Sequence, residues 1–291
     1  MHLAWELVVT ESHNLDEIDE ILGDDTELWT PIQRKEAVET YLLGRRLHLN
    51  NAISLLQQSL ELFLKAKIAE ESPFLLIAGD VQSWPMPDAS GNIDFSNFRT
   101  IDAIHLCKAL RVVSKFKVTD EFVTFYDRIR KTRNKIAHLT ASDVKAEVSA
   151  IMIDTLTAHK HLFPQECWME FRHRFENEQP DHVLDGAEFT HDVLTEELDT
   201  VFGVLQPRHI KAFFGFDPKI KGLRCPECIA RRSKHSDREW EFAQKQSDGT
   251  VRCAACLSVM STLEYKERLL ETIGQFRDQD ELSAEVDRDL S

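Results

Sequence analysis

The residues best suited to acid–base chemistry on a phosphate lie in the stretch Tyr126–Leu139. Arg133 and His138 are separated by four residues, and Asn134 follows the arginine. A guanidinium offers a planar fork of donors that suits phosphate oxygens, and histidine gives or takes a proton near neutral pH. On an ideal helix, Asn134 and His138 share a face, whereas Arg133 lies roughly 140° away from His138. Both can reach one substrate only if the helix ends or distorts near His138, or if a second copy of the stretch faces the first.

The segment Arg133–His138, with asparagine in second place, resembles the Arg-polar-x-x-x-His signature of HEPN domains. Glu61–Ala66 resembles the first long helix of that family, and Phe98–Leu106 resembles the start of its second helix. The resemblance covers about residues 36–163 and implies a small helical bundle. Many HEPN domains are metal-independent ribonucleases of toxin–antitoxin, phage-defence and RNA-processing systems. The alternative is an ordinary solvated basic helix end that carries a capping histidine.

Metal-independent RNA cleavage requires a base for the 2′-hydroxyl proton, an acid for the leaving oxygen, and positive charge near the phosphorus. We therefore predict that His138 performs acid–base work, that Arg133 stabilises the phosphate, and that Asn134 orients either of them. One motif supplies only one histidine, so a two-fold homodimer that pairs two such helices is expected, as the HEPN resemblance also implies. Arg130 and Lys131 are predicted to be accessory RNA contacts.

Two Cys-x-x-Cys pairs predict a metal site near the C-terminal end. They are Cys225 with Cys228, and Cys253 with Cys256. Four thiolates at this spacing surround one ion tetrahedrally and indicate one structural Zn²⁺ per chain. Trp240–Ala243 alternates like a strand and Ser247–Thr250 predicts a hairpin turn, so residues 222–260 resemble a zinc ribbon. Two disulfides or a redox dithiol are the alternatives, and both fit poorly with a cytoplasmic chain.

The net charge of −15 argues against a general nucleic-acid coat, but the charge is unevenly distributed. Residues 108–138 and residues 208–238 each carry nine Lys or Arg against three acids, whereas residues 1–30 carry nine acids and no Lys or Arg. We predict that Arg231, Arg232 and Lys234 of the second basic segment hold RNA or a partner. Ordinary solvated faces are the alternative for either segment.

The apolar periodicity predicts a mainly helical chain in which four helices form an antiparallel bundle. The resemblance described above implies that this bundle is of HEPN type. The predicted helices are about 32–70, 101–116, 119–138 and 143–161. The first is either continuous or broken near Gly44, and Thr119 or Asp120 is expected to cap the third. The small zinc ribbon with its β-hairpin follows the bundle.

The predicted organisation has five parts. They are an acidic N-terminal segment over 1–30, the HEPN-like bundle over 31–164, a helical connecting region over 165–221, the zinc ribbon over 222–260, and a C-terminal helix with an acidic tail over 261–291. The first thirty residues lack the basic start and apolar core of a signal peptide, and no apolar run is long enough to span a bilayer. We therefore expect a cytoplasmic protein with no membrane partner.

Together these features predict a metal-independent endoribonuclease of HEPN type that acts on RNA as a dimer. A toxin–antitoxin or phage-defence context is expected, with an antitoxin or other defence protein as partner. One alternative is a non-catalytic HEPN module that binds RNA or a protein. Another is an adaptor whose zinc ribbon binds nucleic acid while the bundle dimerises. Cleavage that survives chelation and requires His138 distinguishes the first hypothesis from both alternatives.

Overall fold

The computed structural model describes residues 1–24, 29–138, 147–180, 182–231 and 240–273, together with Arg288. The described chain is mainly helical and carries one small antiparallel sheet near its C-terminal end. The helices are α1 (His2–Asp24), α2 (Pro31–Glu71), α3 (Leu106–Val113), α4 (Asp120–Ala137), α5 (Val148–Leu162), α6 (Trp168–Asn177), α7 (His182–Val204), α8 (Pro207–Phe214), α9 (Pro226–Arg231) and α10 (Thr262–Ile273). The strands are β1 (Ala243–Lys245), β2 (Thr250–Cys253) and β3 (Val259–Ser261). The mainly helical class is confirmed, whereas the four-helix HEPN bundle stays a prediction.

The chain divides into two compact units, and each is described by itself. The first unit contains Met1, Leu3 and residues 45–146, and the second contains His2, residues 4–44 and residues 147–291. Helix α2 runs without a break through Gly44, so the continuous form of the predicted first helix is the one observed. A glycine inside a helix costs only about 0.5–1 kcal/mol relative to alanine, which a helix of 41 residues tolerates.

In the first unit, α2 buries apolar side chains at helical spacing. They are Leu49, Ile53, Leu56, Leu60, Leu64 and Ile68. Helix α3 is shorter than the predicted helix over 101–116, because Ser114 takes an extended backbone and its hydroxyl accepts from the amide of Phe116 at 3.2 Å. Such a local side-chain bond competes with helix continuation. The start is also shortened, since residues 103–105 form a separate 3₁₀ turn.

Between residues 79 and 97, the long connection between α2 and α3 contains only short 3₁₀ turns, at Val81–Ser83 and Phe95–Asn97. Its two ends meet in an antiparallel bridge between Ile77 and Thr100. The backbone amide of Ala78 donates to the carbonyl of Arg99 at 2.8 Å. The bridge therefore closes the loop at its base.

The second unit contains α1, which begins at His2. Its apolar side chains Ala4, Trp5 and Val8 are fully buried. Glu6, one of the acids between them, lies 3.3 Å from the guanidinium of Arg172. The first turns of α1 are therefore held in the unit by charge as well as by apolar burial.

Arg172 of α6 is the most buried cation of this network, with its side chain 1% exposed. Its Nη2 lies 2.7 Å from Glu197 of α7 and 2.5 Å from Glu176 of α6. The indole of Trp5 donates to Glu197 at 2.6 Å. Burial lowers the pKa of Arg172, but the charge of Glu197 and the other carboxylates raises it above its usual value. The neighbouring carboxylates therefore keep the buried guanidinium of Arg172 charged.

The three strands pair in the order β1-β2-β3, with Ala243 opposite Cys253 and Val251 opposite Met260. Strands β1 and β2 form the predicted hairpin, and β3 adds a strand that was not predicted. The chain before the first cysteine pair is held by a bridge between Leu223 and Ala243. A Cβ on Gly222 would lie 2.2 Å from the carbonyl oxygen of Glu241. Only glycine therefore fits this close approach of two backbones.

Candidate functional site

Helix α4 positions the predicted acid–base residues. The hydroxyl of Thr119 accepts from the amide of Phe122 at 3.1 Å and caps the start of the helix, as predicted. The helix ends at Ala137, and the next residue, His138, has φ −91° and ψ 20°. The amide of His138 donates to the carbonyls of Asn134 and Ile136. The helix thus ends one residue before the histidine, which satisfies one of the two geometric conditions stated for a shared substrate.

The three predicted catalytic side chains differ in exposure. Arg133 and Asn134 are half-buried, whereas His138 is exposed. The Nη1 of Arg133 donates to the Oδ1 of Asn134 at 3.4 Å. Among the described residues, the imidazole of His138 makes no hydrogen bond or ion pair. The structure therefore brings Arg133 and Asn134 together, and it leaves the imidazole of His138 accessible.

Glu61 of α2 lies in the electrostatic field of Arg133. Burial raises the pKa of Glu61, but hydrogen bonds from Lys65 and Gln57 and the charges of Lys65 and Arg133 lower it overall. The Nζ of Lys65 lies 2.8 Å from the Glu61 carboxylate. Glu61 therefore stays ionised beside Arg133.

The two predicted accessory contacts, Arg130 and Lys131, share a carboxylate on their own helix. The Nη2 of Arg130 and the Nζ of Lys131 each lie 2.6 Å from Asp127. These bonds hold the pKa of Asp127 below its usual range. Lys131 is 66% exposed and Arg130 only 16%. Lys131 is thus the more accessible of the two cations, although both are partly neutralised by Asp127.

The four cysteines of the predicted metal site lie in one cluster. All four sulfur atoms lie within 4.8 Å of one another. The Sγ atoms of Cys225 and Cys256 are 3.6 Å apart, and those of Cys228 and Cys253 are 3.5 Å apart. Four sulfurs at about 2.3 Å from one ion in a tetrahedron are separated by roughly 3.8 Å. The sulfur positions therefore fit a tetrahedrally coordinated metal ion such as Zn²⁺.

The backbone around the four cysteines directs their sulfur atoms toward one point. Cys225 and Cys228 bracket the start of α9, Cys253 ends β2, and Cys256 lies in the turn before β3. The backbone of Leu257 in that turn has φ +63°. The sulfur separations far exceed a disulfide bond of about 2.05 Å, and all four cysteines are free thiols. The disulfide alternative therefore does not describe this arrangement.

The four thiols lie so close together that their pKa values shift in opposite directions. Hydrogen bonds from Cys225, Cys228 and Cys253 lower the pKa of Cys256. Hydrogen bonding to Cys225 and Cys253 instead raises the pKa of Cys228. One sulfur can thus hold negative charge while its neighbours donate to it. A divalent cation would stabilise all four as thiolates, since the thiolate is the form that binds metal.

Two polar contacts around this cluster were not predicted. The hydroxyl of Ser258 lies 3.1 Å from the sulfur of Cys256 and 3.4 Å from that of Cys225. The Nε2 of His173 on α6 donates to the carbonyl of Ala255 at 2.8 Å. A serine two residues after a Cys-x-x-Cys pair was the local signal for the first contact. Nothing in the local sequence pointed to the second.

The predicted RNA contacts beside the cysteine cluster are only partly described. Arg231 is exposed, and its Nη2 lies 3.6 Å from Glu227. Glu227 also pairs with Arg268 of α10. Arg232 and Lys234 lie outside the described residues. Of the three predicted RNA contacts, the structure therefore describes Arg231, which lies beside the carboxylate of Glu227.

None of the described helices combines the length and apolar character needed to cross a lipid bilayer. Comparisons of the chain with models of protein families, with curated proteins and with solved structures found no match.

Proposed function

We propose that this chain is a metal-independent endoribonuclease of HEPN type, with Arg133, Asn134 and His138 at its catalytic centre. The observation that carries the proposal is the end of α4 at Ala137. An exposed histidine just beyond the helix end can approach a phosphate that Arg133, five residues earlier in the chain, contacts. The hydrogen bond from Arg133 to Asn134 supports the assignment of a positioning role to the asparagine.

The proposed reaction uses the nucleophile already present in RNA. A base removes the proton of the 2′-hydroxyl, whose oxygen attacks the adjacent phosphorus, while an acid protonates the departing 5′-oxygen. His138 serves in proton transfer, and Arg133 stabilises the charge that grows on the phosphate oxygens. The products are a 2′,3′-cyclic phosphate and a free 5′-hydroxyl. No metal takes part in the bond changes.

The proposal includes a homodimer, because the two proton transfers require two groups and each chain contributes one His138. A two-fold axis that pairs two α4 helices would supply two histidines and two arginines, and such symmetry is the commonest in oligomers. Arg130 and Lys131 would contact flanking phosphates of the RNA. Since both share Asp127, their contribution is expected to be smaller than that of Arg133.

The cysteine cluster is proposed to hold one structural Zn²⁺ per chain. Nearly complete burial of Cys225, Cys228 and Cys253 supports a closed four-sulfur site without room for substrate. Arg231, Arg232 and Lys234 are proposed to hold RNA or a partner protein. A toxin–antitoxin or phage-defence setting in the cytoplasm, with a defence-system partner, completes the proposal and rests on the HEPN resemblance alone.

A cleavage assay on total RNA in the presence of EDTA tests the proposal. Wild type is expected to cleave, and His138→Ala to lose about 10²- to 10⁴-fold in rate. Because His138 is exposed, the substitution should leave the fold intact. His105→Ala, which changes another exposed histidine of the first unit, is the matched control and should cleave like wild type. Absence of cleavage by wild type would favour the non-catalytic adaptor, and equal cleavage rates for wild type and His138→Ala would contradict the role of His138.

A second assay tests the dimer. Light scattering at the working concentration should give twice the chain mass of 33.6 kDa. If the active species proves monomeric, the paired arrangement is wrong, even where cleavage itself requires His138. Mixing His138→Ala chains with Arg133→Ala chains then adds a functional readout. A composite site across the two chains predicts that the mixture differs in activity from the average of the two variants.

A further inference from the structure

The hydroxyl of Ser258 contacts two of the four sulfurs in the cysteine cluster of the second unit. It lies 3.1 Å from the Sγ of Cys256 and 3.4 Å from that of Cys225. These two sulfurs are themselves 3.6 Å apart, so one hydroxyl reaches both of them. Cys225 belongs to the first Cys-x-x-Cys pair and Cys256 to the second. Ser258 therefore lies where the two halves of the proposed metal site meet.

The backbone of the turn between β2 and β3 holds this serine in place. The amide of Cys253 donates to the carbonyl of Ser258 at 3.0 Å, and this bond closes the turn that carries Cys253 and Cys256. Leu257, between Cys256 and Ser258, takes the left-handed backbone conformation with φ +63°. A residue with a branched side chain rarely adopts this conformation unless the surrounding structure imposes it. The contact of Ser258 with the sulfurs is therefore set by the fold of the turn.

Cys256 is the least buried of the four cysteines in the cluster. The other three are at most 5% exposed, whereas Cys256 is only half-buried. Water and competing chelators therefore reach the site most easily beside Cys256, and loss of a bound metal is expected to begin with the bond from this sulfur. A group that stabilises Cys256 as a ligand would slow that loss.

We infer that Ser258 is a positioning residue of the metal site, whose hydroxyl donates to the Cys256 thiolate and thereby retains the metal. The inference rests on the zinc ion of the proposed function and not on the ribonuclease activity. A metal-bound thiolate carries no proton, so the hydroxyl is the donor of this bond. Four thiolates around one Zn²⁺ leave an excess of negative charge, and a hydrogen bond to sulfur disperses part of it.

The rate of zinc release tests the inference. The full chain, loaded with one equivalent of Zn²⁺, is mixed with an excess of the chelating dye 4-(2-pyridylazo)resorcinol, whose absorbance reports the released metal. Ser258→Ala should release zinc about tenfold faster than wild type, because loss of a group that hydrogen-bonds to a metal ligand typically weakens metal binding about 10- to 100-fold. Ser258→Thr keeps the hydroxyl and should recover most of this difference. Ser247→Ala, at an exposed serine of the β1–β2 turn, is the matched control and should release zinc like wild type.

Replacement of zinc by Co²⁺ gives a second readout, which depends on the sulfur itself. Loss of the hydrogen bond raises the electron density on the thiolate, so the sulfur-to-cobalt charge-transfer band should move to longer wavelength in Ser258→Ala but not in Ser258→Thr or Ser247→Ala. An unshifted band in Ser258→Ala, zinc release from it at the wild-type rate, or equally fast release from Ser258→Thr would overturn the inference and leave the zinc site standing. Wild type that takes up neither metal would overturn both.

Discussion

The backbone amide of His138 donates to the carbonyl oxygen of Asn134 at 3.0 Å and thereby closes the last turn of α4. Since His138 takes non-helical dihedral angles, its side chain is not fixed at the offset from Arg133 that an ideal helix would impose. Arg133 lies in α4 just before the last turn, and Asn134 accepts its hydrogen bond. In the proposed site, Arg133 is thus held by a hydrogen bond, whereas the side chain of His138 is accessible.

The first prediction concerns the fork of donors on Arg133. Arg133→Ala should lower the single-turnover rate of RNA cleavage about 10²- to 10³-fold, because it removes charge from the transition state. Arg133→Lys should recover only part of this loss, since lysine cannot donate from two parallel N–H groups. Arg128→Ala, at an exposed position of the same helix, is the control and should retain most of the activity. A lysine variant with the wild-type rate would contradict the proposed role.

The second prediction is that the purified chain contains one zinc ion, held by Cys225, Cys228, Cys253 and Cys256. Elemental analysis should give about one zinc per chain for wild type, and Cys253→Ser should lose most of it. Loss of the metal should also unfold the ribbon, since metal binding supplies the folding free energy of small metal-bound domains. Cys107→Ser changes a buried thiol outside the cluster and should keep its zinc. Metal near zero in wild type, or unchanged metal in Cys253→Ser, would exclude the site.

The third prediction concerns the buried ion pair of Arg172 and Glu197. Arg172→Met leaves the buried carboxylates without a counter-charge, so the free energy of unfolding should fall by about 3–5 kcal/mol. Arg99→Met breaks the exposed pair with Asp102, whose atoms are 3.0 Å apart, and should cost less than about 1 kcal/mol. Urea denaturation of both variants measures the difference. Similar losses in the two variants would show that the buried network contributes no more than a surface pair.

The fourth prediction follows from the low pKa of His159. Burial, together with the charge of Arg174, lowers its folded pKa to about 4, below the ordinary value of 6.5, so the unfolded chain binds more protons between these two values. The folded state should therefore lose stability as the pH falls from about 6.5 to 4, with His159 contributing on the order of 2 kcal/mol by pH 4.5. His2, whose pKa burial lowers to about 3, adds to the same trend.

Urea midpoints at pH 7 and pH 4.5 measure this dependence. His159→Gln removes the titrating group, so the difference between its two midpoints should be smaller than in wild type. His105→Gln changes an exposed histidine and should preserve the wild-type difference. If His159→Gln loses as much stability on acidification as wild type does, another group accounts for the effect.

The clustering of the four cysteines could be predicted because the information is local. Each Cys-x-x-Cys pair places two sulfurs in one turn, and a hairpin is enough to bring the two turns together. The start of α4 was equally local, since Thr119 precedes an apolar helical pattern and caps it. Patterns of this kind depend on residues three or four positions apart. Such patterns therefore do not depend on the tertiary structure of the rest of the chain.

The network around Arg172 could not be predicted for the opposite reason. Its partners come from three helices, and Glu6 is 166 positions away along the chain. An arginine among acids, as at Arg172, is usually a solvated charge on a helix surface. Only the packing of α1 beside α6 and α7 reveals that it is buried.

The chemical nature of the RNA ends tests the central claim most directly. Total RNA treated with wild-type protein in EDTA is sequenced after end-specific ligation, with and without enzymatic removal of a 2′,3′-cyclic phosphate. Attack by the 2′-hydroxyl predicts cyclic phosphate on the 3′ ends and free hydroxyl on the 5′ ends, and these ends should be absent after treatment with His138→Ala. Cleavage that leaves 3′-hydroxyl ends and requires Mg²⁺ would contradict the account, as would ends that appear equally with the His138 variant.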